Sequence, residues 1–267
     1  MRIDTSLFAS KKDIHKFIYS HNKAIIASKK SIMKEADCIG IINLTPDGPE
    51  QKAAYDIADN ATEMLGKLAI NTTNIFDSHQ DVHIPNIWKK SLKENSRRKH
   101  KREHLSGFDN VISSGEDLKA YTETKTFKEI GFKQYVGTTE ILIYESTIKQ
   151  IRNAFMFDQY KNGWVDNHSV GMYYVKLLTA IDDKDYKDEY TNYKKYYPMV
   201  ANQEDIKYGF FFPVLEAKEI EGSAVTDGSN AITPTISIEE IKSIEQGNHS
   251  KREPVPSTRN KSDYFLM

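Results

Sequence analysis

With a single cysteine, Cys38, in 267 residues, the chain can build neither an internal disulfide framework nor a multi-cysteine zinc site. That usage fits a reducing intracellular setting. No apolar run approaches the roughly eighteen residues of a membrane span, so no membrane partner is expected. The opening MRIDTSLFASKKDIHKF lacks the apolar stretch and small-residue cleavage site of a secretory signal. Charge of one sign is missing too: 37 Lys and Arg face 38 Asp and Glu. Such a balance argues against wholesale binding to nucleic acid. Also absent are G-x-G-x-x-G, the Walker loop, H-E-x-x-H and G-x-S-x-G. No cofactor is expected, and no internal repeat is seen.

The chain is long enough for a sizeable core, and its pattern divides it into three parts. Residues 1–35 are basic and predicted helical, with Ile14, Phe17 and Ile18 at helical spacing behind a Ser10 cap. Residues 36–235 form the main domain. Within it, Cys38–Leu44 suits a buried strand, and Pro49–Leu65 reads as a helix stopped by Gly66. Strands are expected at Leu68–Phe76, Asp117–Phe127, Thr138–Tyr144, Val170–Ile181 and within Tyr208–Val225. Helices are expected at Pro85–Asn95, at Thr147–Lys161 before Asn162-Gly163, and in the acidic segment ending at Pro198. Arg97–Glu103 (RRKHKRE) reads as a solvated face or loop. Residues 236–267, rich in Pro, Ser, Lys, Arg and Asn, read as a flexible tail. The order is mixed rather than alternating βαβ. It predicts an α+β fold with a mostly antiparallel, barrel-like sheet core flanked by a few helices.

Three clusters carry candidate chemistry. His79/His83 and His100/His104 are spaced i, i+4, but the first pair lies in an extended segment and the second among basic residues that oppose a cation. No metal site is expected. Ser169, in Asn167-His168-Ser169-Val170-Gly171-Met172, stands where a turn leads into the long strand, and a serine becomes a nucleophile only beside an oriented base. Glu216, Glu219 and Glu221 lie close together, with Glu219 and Glu221 on one face of a regular strand. Periodicity does not choose between a solvated edge and a buried, paired carboxylate.

Four segments, in order, resemble blocks of the prohead (capsid maturation) proteases of tailed double-stranded DNA phages, which are related in fold to herpesvirus assembly proteases. They are Asp77-Ser78-His79-Gln80-Asp81-Val82 with Pro85 and Ser91-Leu92; His104 ahead of Val111 and Ile112; His168-Ser169-Val170-Gly171-Met172; and Glu221-Gly222-Ser223-Ala224-Val225-Thr226 with Asn230. Asn86 replaces the family's usual glycine, and Gly228-Ser229 replaces Pro-Ala. The resemblance implies a serine endopeptidase that processes scaffold and capsid proteins inside the assembling procapsid, in the host cytoplasm, and associates with itself. It implies Ser169 as nucleophile, His104 as base and acid, and Glu221 as the carboxylate orienting His104. His100 and Glu219 are the alternates for the last two roles. Backbone amides near Ser169, Gly171 among them, are expected to form the oxyanion hole. His168 is expected to point away from Ser169. The acidic insertion at about 182–204 has the place of one found in a subset of the family. Two other readings remain: a non-catalytic scaffolding protein on the same fold, and nucleic-acid binding through the basic segments 1–34 and 89–102, which offer few aromatics for stacking.

Overall fold

The computed structural model describes residues 2–34 and 55–241. The expected Cys38–Leu44 strand, the start of the 49–65 helix and the tail beyond 241 lie outside them. Two helices open the chain, α1 (Lys11–Ser20) and α2 (Asn22–Ser31). Ser10 caps α1 by accepting from the Asp13 N–H, and Ile14 and Ile18, one turn apart, bury the same face. The N-terminal segment is thus packed on the main core rather than appended to it.

Glu63–Thr72 is a strand, β1, where the end of a helix was expected. Exposure alternates from Glu63 to Leu68, and Gly66 sits mid-strand with its open side filled by Ile238, Leu68 and Ile148. Packing on a glycine therefore overrides the helix-stop reading. Next come β2 (Asp81–His83), α3 (Lys89–Glu94), β3 (Lys99–Arg102), β4 (Val111–Ser114), β5 (Leu118–Thr126) and β6 (Thr138–Lys149). α4 (Ala154–Lys161) is capped by the Asn153 side chain and ends at Asn162, with Gly163 left-handed at φ 72°. β7 (His168–Leu177), β8 (Ala180–Ile181), α5 (Lys187–Tyr196), β9 (Phe210–Ala224) and β10 (Thr235–Glu240) complete the described fold.

Three expectations need correcting. RRKHKRE is not a solvated loop: it contains β3, whose His100 is fully buried, because β3 inserts between β4 and β9. Thr147–Lys149 is strand, since β6 keeps pairing with β1 as far as Glu63. Thr235–Glu240 pairs with β1 instead of starting the tail.

The architecture is α+β with largely antiparallel sheets. One sheet runs β10-β1-β6-β5, all antiparallel. The other is built on β9, which pairs parallel with β2 and β3 and antiparallel with β7 and β8. No closed barrel is found among the described residues. The main core joins both sheets and the helices: Leu68, Ile70, Leu142 and Tyr144 meet Val170, Met172, Phe212 and Val214, with Ile18 of α1, Ile25 of α2 and Phe157 of α4. Among the described residues, no helix is long and apolar enough to cross a membrane.

Candidate active site

Ser169 and Glu221 come together through strand register. β7 and β9 run antiparallel, setting Ser169 opposite Ser223 and Gly171 opposite Glu221. Directly opposed residues share a face, so Ser169, Ser223 and Glu221 line one side of this ladder. Gly171 is required there. A Cβ at that position would overlap Glu221 Oε1 and lie 3.0 Å from its Cδ.

His104 arrives from another element. β3 runs parallel to β9, with Arg102 beside Ala224, and the chain then turns back: Leu105 N–H donates to the Arg102 carbonyl at 2.9 Å. Both central residues of this turn are left-handed, Glu103 at φ 50° and His104 at φ 54°. Two consecutive non-glycine residues in that region store strain, a feature that gathers at functional sites. The turn is pinned to β9, as Glu103 N–H donates to the Ala224 carbonyl at 2.9 Å and His104 N–H donates to Ser223 Oγ at 3.1 Å. The His104 ring then reaches Glu221, with Nδ1–H donating to Oε1 at 2.5 Å. Ser223 Oγ–H donates to the other carboxylate oxygen at 2.7 Å.

Glu221 is therefore a buried carboxylate with both oxygens engaged, at 1% exposure. It fixes the His104 proton on Nδ1 and leaves Nε2 free to accept one. Nε2 is buried and makes no hydrogen bond among the described residues, so Ser169 Oγ does not bond to it in this state. Ser169 itself is 6% exposed. His104 and Glu221 are thus joined, whereas Ser169 lies on the Glu221 face of the ladder without a bond to His104.

The alternates are engaged elsewhere. His100 has both ring nitrogens occupied, Nδ1 by Ser146 Oγ at 2.9 Å and Nε2 by the Tyr160 hydroxyl at 3.0 Å. Glu219 is ion-paired with Arg98 at 3.1 Å and accepts a short bond from the Tyr144 hydroxyl. The expectation that Glu219 and Glu221 share a face fails because the register slips between Gly171 and Met172, leaving Ile220 as a bulge. Glu219 thereby joins Gly222 on the side facing Tyr144, while Glu221 faces His104.

His168 points away from Ser169 into a buried hydrogen-bonded chain. Its Nδ1 meets the Thr233 carbonyl at 3.0 Å and so must carry the proton. Nε2 then accepts from Tyr160 O–H at 2.9 Å, Tyr160 accepts from His100 Nε2–H, and His100 Nδ1 accepts from Ser146 O–H. The ring thus holds the chain immediately before Ser169 from below.

A second buried network lies next to the site. Lys29 of α2, fully buried, pairs with Asp81 at 2.6 Å and also donates to the His79 carbonyl. Tyr174 O–H donates to the other Asp81 oxygen at 2.8 Å and stands 3.4 Å from His83 Nε2. Asn71 donates to His83 Nδ1 at 2.9 Å. Asp77 is buried next to this ion pair, and desolvation together with the Asp81 charge raises its pKa to about 8. Lys29, like Arg98, is thereby withdrawn from the basic segments offered for nucleic acid.

These groups set the pH dependence of stability. Burial lowers His83 and His168 to about 4, and His100 well below its ordinary value. Between pH 4 and 6.5 the unfolded chain takes up protons on His83 and His168 that the native state refuses, the lowered His100 acts in the same sense, and native Asp77 holds one proton that the unfolded chain has lost. The unfolded state thus binds more protons, and stability rises with pH across this window. From pH 6.5 to about 8 the three histidines no longer differ between the states, and the Asp77 excess acts with the opposite sign, lowering stability. Urea midpoints measured from pH 4 to 8 should peak near 6.5; a monotonic rise to pH 8 contradicts a protonated Asp77.

No family model, curated protein or solved structure matches the chain. Among the described residues no group of three or more His, Cys, Asp or Glu is arranged to hold a metal ion.

Ser223 and Glu103 went unassigned in the sequence. Ser223 ties the His104 backbone to the Glu221 carboxylate, and Glu103 Oε1 accepts from Thr226 N–H at 3.1 Å to close the turn. The signal for Ser223 was present as i, i+2 spacing from Glu221 on one strand face. Removing a hydrogen bond to a charged group costs about 1.5–3 kcal/mol. Ser223→Ala is accordingly expected to loosen the His104–Glu221 pair with the fold intact, as read by the imidazole NMR signal of His104 beside circular dichroism.

Proposed function

We propose that this chain is a serine endopeptidase of the prohead-protease type, with Ser169 as nucleophile, His104 as base and acid, and Glu221 as the orienting carboxylate. The observation that carries the reading is the 2.5 Å bond between His104 Nδ1 and Glu221 Oε1, residues 117 apart in sequence, on a strand paired with that of Ser169. In the reaction, Ser169 Oγ adds to the scissile carbonyl as its proton passes to His104 Nε2. Return of that proton to the leaving amine expels it and leaves an acyl-enzyme, which water then resolves by the same route. Glu221 stays ionised and stabilises the imidazolium. The reaction requires Ser169 Oγ to bond to Nε2, a contact this state lacks.

The four sequence blocks support the prohead assignment. They bring with them a barrel-like core, scaffold and capsid proteins as substrates, self-association, and action within the assembling procapsid in the host cytoplasm. The non-catalytic scaffolding reading draws on a different observation, the burial of Ser169 and its missing bond to His104.

One variant separates the two. The purified chain is expected to react with a fluorophosphonate probe at Ser169, and Ser169→Ala to lose all labelling. Co-expressed with its capsid and scaffold proteins, Ser169→Ala should leave both uncleaved. Unchanged processing in that variant excludes Ser169 as the nucleophile.

A further inference from the structure

The sheet face that carries Ser169 extends across β9 to a group of cations. Ser169 lies opposite Ser223 on β9, Ser223 lies beside Lys101 on β3, and Lys101 lies opposite Val111 on β4. Neighbours across a ladder share a face, so one row joins the serine to Lys101 and Val111. Lys99 stands on the same side as Lys101, with buried His100 between them on the other. Further along β7, Tyr173 follows Ser169 and Gly171 at alternate positions and is paired with Lys218. Two hollows open along these residues. One, of about 230 Å³, is lined by Lys99, Lys101, Ser106, Gly107, Phe108 and Val111. The other, of about 450 Å³, takes in Arg97, Lys218 and the Ile220 bulge, together with Glu94 and Glu219.

The charge along these hollows is unbalanced. Glu219 is already taken by Arg98. Arg97, Lys99, Lys101 and Lys218 make no salt bridge among the described residues. Cations gathered on a concave surface focus a positive potential into it and draw ligands of the opposite sign. Phe108 is the second unusual member. Gly107, at φ 115°, turns the chain so that Phe108 stands 98% exposed. The loop that holds the ring is nonetheless braced. Asn110 donates to the Ser106 carbonyl at 2.7 Å and accepts from Arg102 at 2.7 Å, while Asn153 donates to the Asp109 carbonyl at 2.9 Å. A large apolar ring held in water by a fixed loop gains only when something covers it.

We infer that this face of β9 and β3 is a docking groove for an extended acidic segment of a partner protein. Lys99, Lys101 and Lys218 pair with its carboxylates, and Phe108 covers one of its apolar side chains. Strands rise about 3.3 Å per residue, so Lys218 and the Ser223–Lys101 pair stand roughly 15 Å apart, the reach of about five extended residues. A peptide fits the hollows better than a nucleic-acid strand does. Such strands are held by successive bases stacked on aromatic rings, and the lining residues of the two hollows offer the single ring of Phe108. β3 stands two strand spacings from β7, roughly 10 Å, so a side chain seated at Lys101 lies away from any bond at Ser169. On the protease reading above the partner is a substrate, and the groove sets its affinity rather than the rate of the chemical step.

The test uses the full chain carrying Ser169→Ala, so that binding is read without cleavage. The probes are a fluorescein-labelled hexapeptide of four glutamates and two leucines and its glutamine counterpart, followed by fluorescence anisotropy. The acidic peptide is expected to bind at least tenfold tighter than the glutamine one, and to weaken at least fivefold between 50 and 200 mM salt. Lys99→Gln combined with Lys101→Gln is expected to weaken it about 5- to 20-fold, the loss of two partly exposed ion pairs. The corresponding arginine pair is expected to stay within threefold, which separates charge from packing. Lys218→Gln, on a different strand, is expected to weaken binding about 2- to 5-fold and replaces the double variant where that does not fold. Equal binding of the two peptides overturns the inference. So does a double glutamine variant within twofold of its parent, or a thymidine oligonucleotide of equal charge that binds tighter than the acidic peptide. Failed peptide binding with fluorophosphonate labelling of wild type intact removes the groove and leaves the triad. Peptide binding without labelling does the reverse.

Discussion

Glu221→Gln is expected to slow acylation of Ser169 about 10⁴-fold, the loss seen when the orienting acid of a serine protease triad becomes an amide. The geometry explains the severity. One Glu221 oxygen accepts from His104 Nδ1 and the other from Ser223 Oγ. Glutamine offers a single acceptor oxygen, and its amide nitrogen must donate to one of those two partners. If it donates to His104, the ring keeps its proton on Nε2, the wrong tautomer for a base. If it donates to Ser223, that hydroxyl must turn, and the negative charge that stabilises the imidazolium is still gone. Gly171→Ala provides an independent check, because its Cβ displaces Glu221 Oε1 without altering any charge. Burst kinetics on both variants, with thermal melts to confirm folding, decide the matter. Glu221→Gln activity within tenfold of wild type contradicts the assigned role.

The largest stability effect is expected at Lys29. Its ammonium and the Asp81 carboxylate are both fully buried and 2.6 Å apart, with Tyr174 and the His79 carbonyl completing the shell. Lys29→Met removes the ammonium bonded to the Asp81 carboxylate, and breaking a buried pair from one side costs about 3–5 kcal/mol. Urea unfolding should show this as a lower midpoint at unchanged slope. Lys29→Met combined with Asp81→Asn is expected to recover much of the loss, because no uncompensated charge then remains. A single variant within 1 kcal/mol of wild type shows that Asp81 takes up a proton or finds another partner. The pair also anchors α2, whose C-terminal continuation places Lys34 on β7.

Much of the site was legible because its residues sit in short segments with recognisable order. Ser169, His104 and Glu221 could be named from four blocks. The preference for His104 over His100 rested only on distance to the Val111/Ile112 strand. The fold settles their environments for a reason the spacing does not contain: β3 buries His100 between Ser146 and Tyr160, whereas the left-handed turn after Arg102 carries His104 over β9. The opposed faces of Glu219 and Glu221 were illegible for a similar reason. Period-two reasoning assumes an uninterrupted strand, and the Ile220 bulge is visible only against its partner. Gly66 misled because glycine both stops helices and admits close packing within strands.

The sequence by itself determined the class of elements, the Ser10 cap of α1, the stop of α4 at Asn162-Gly163, the strands from β5 to β9 and the residue types available for nucleophilic chemistry. Those are local properties, set by side-chain periodicity and backbone preference over a few residues. Tertiary structure alone decided which groups share a charge. It buried Lys29 against Asp81, tied His100 to Ser146 and Tyr160, and brought His104 to Glu221 across 117 residues. Electrostatic partnership depends on distance in space and on desolvation, and neither is written in the spacing of residues along a chain.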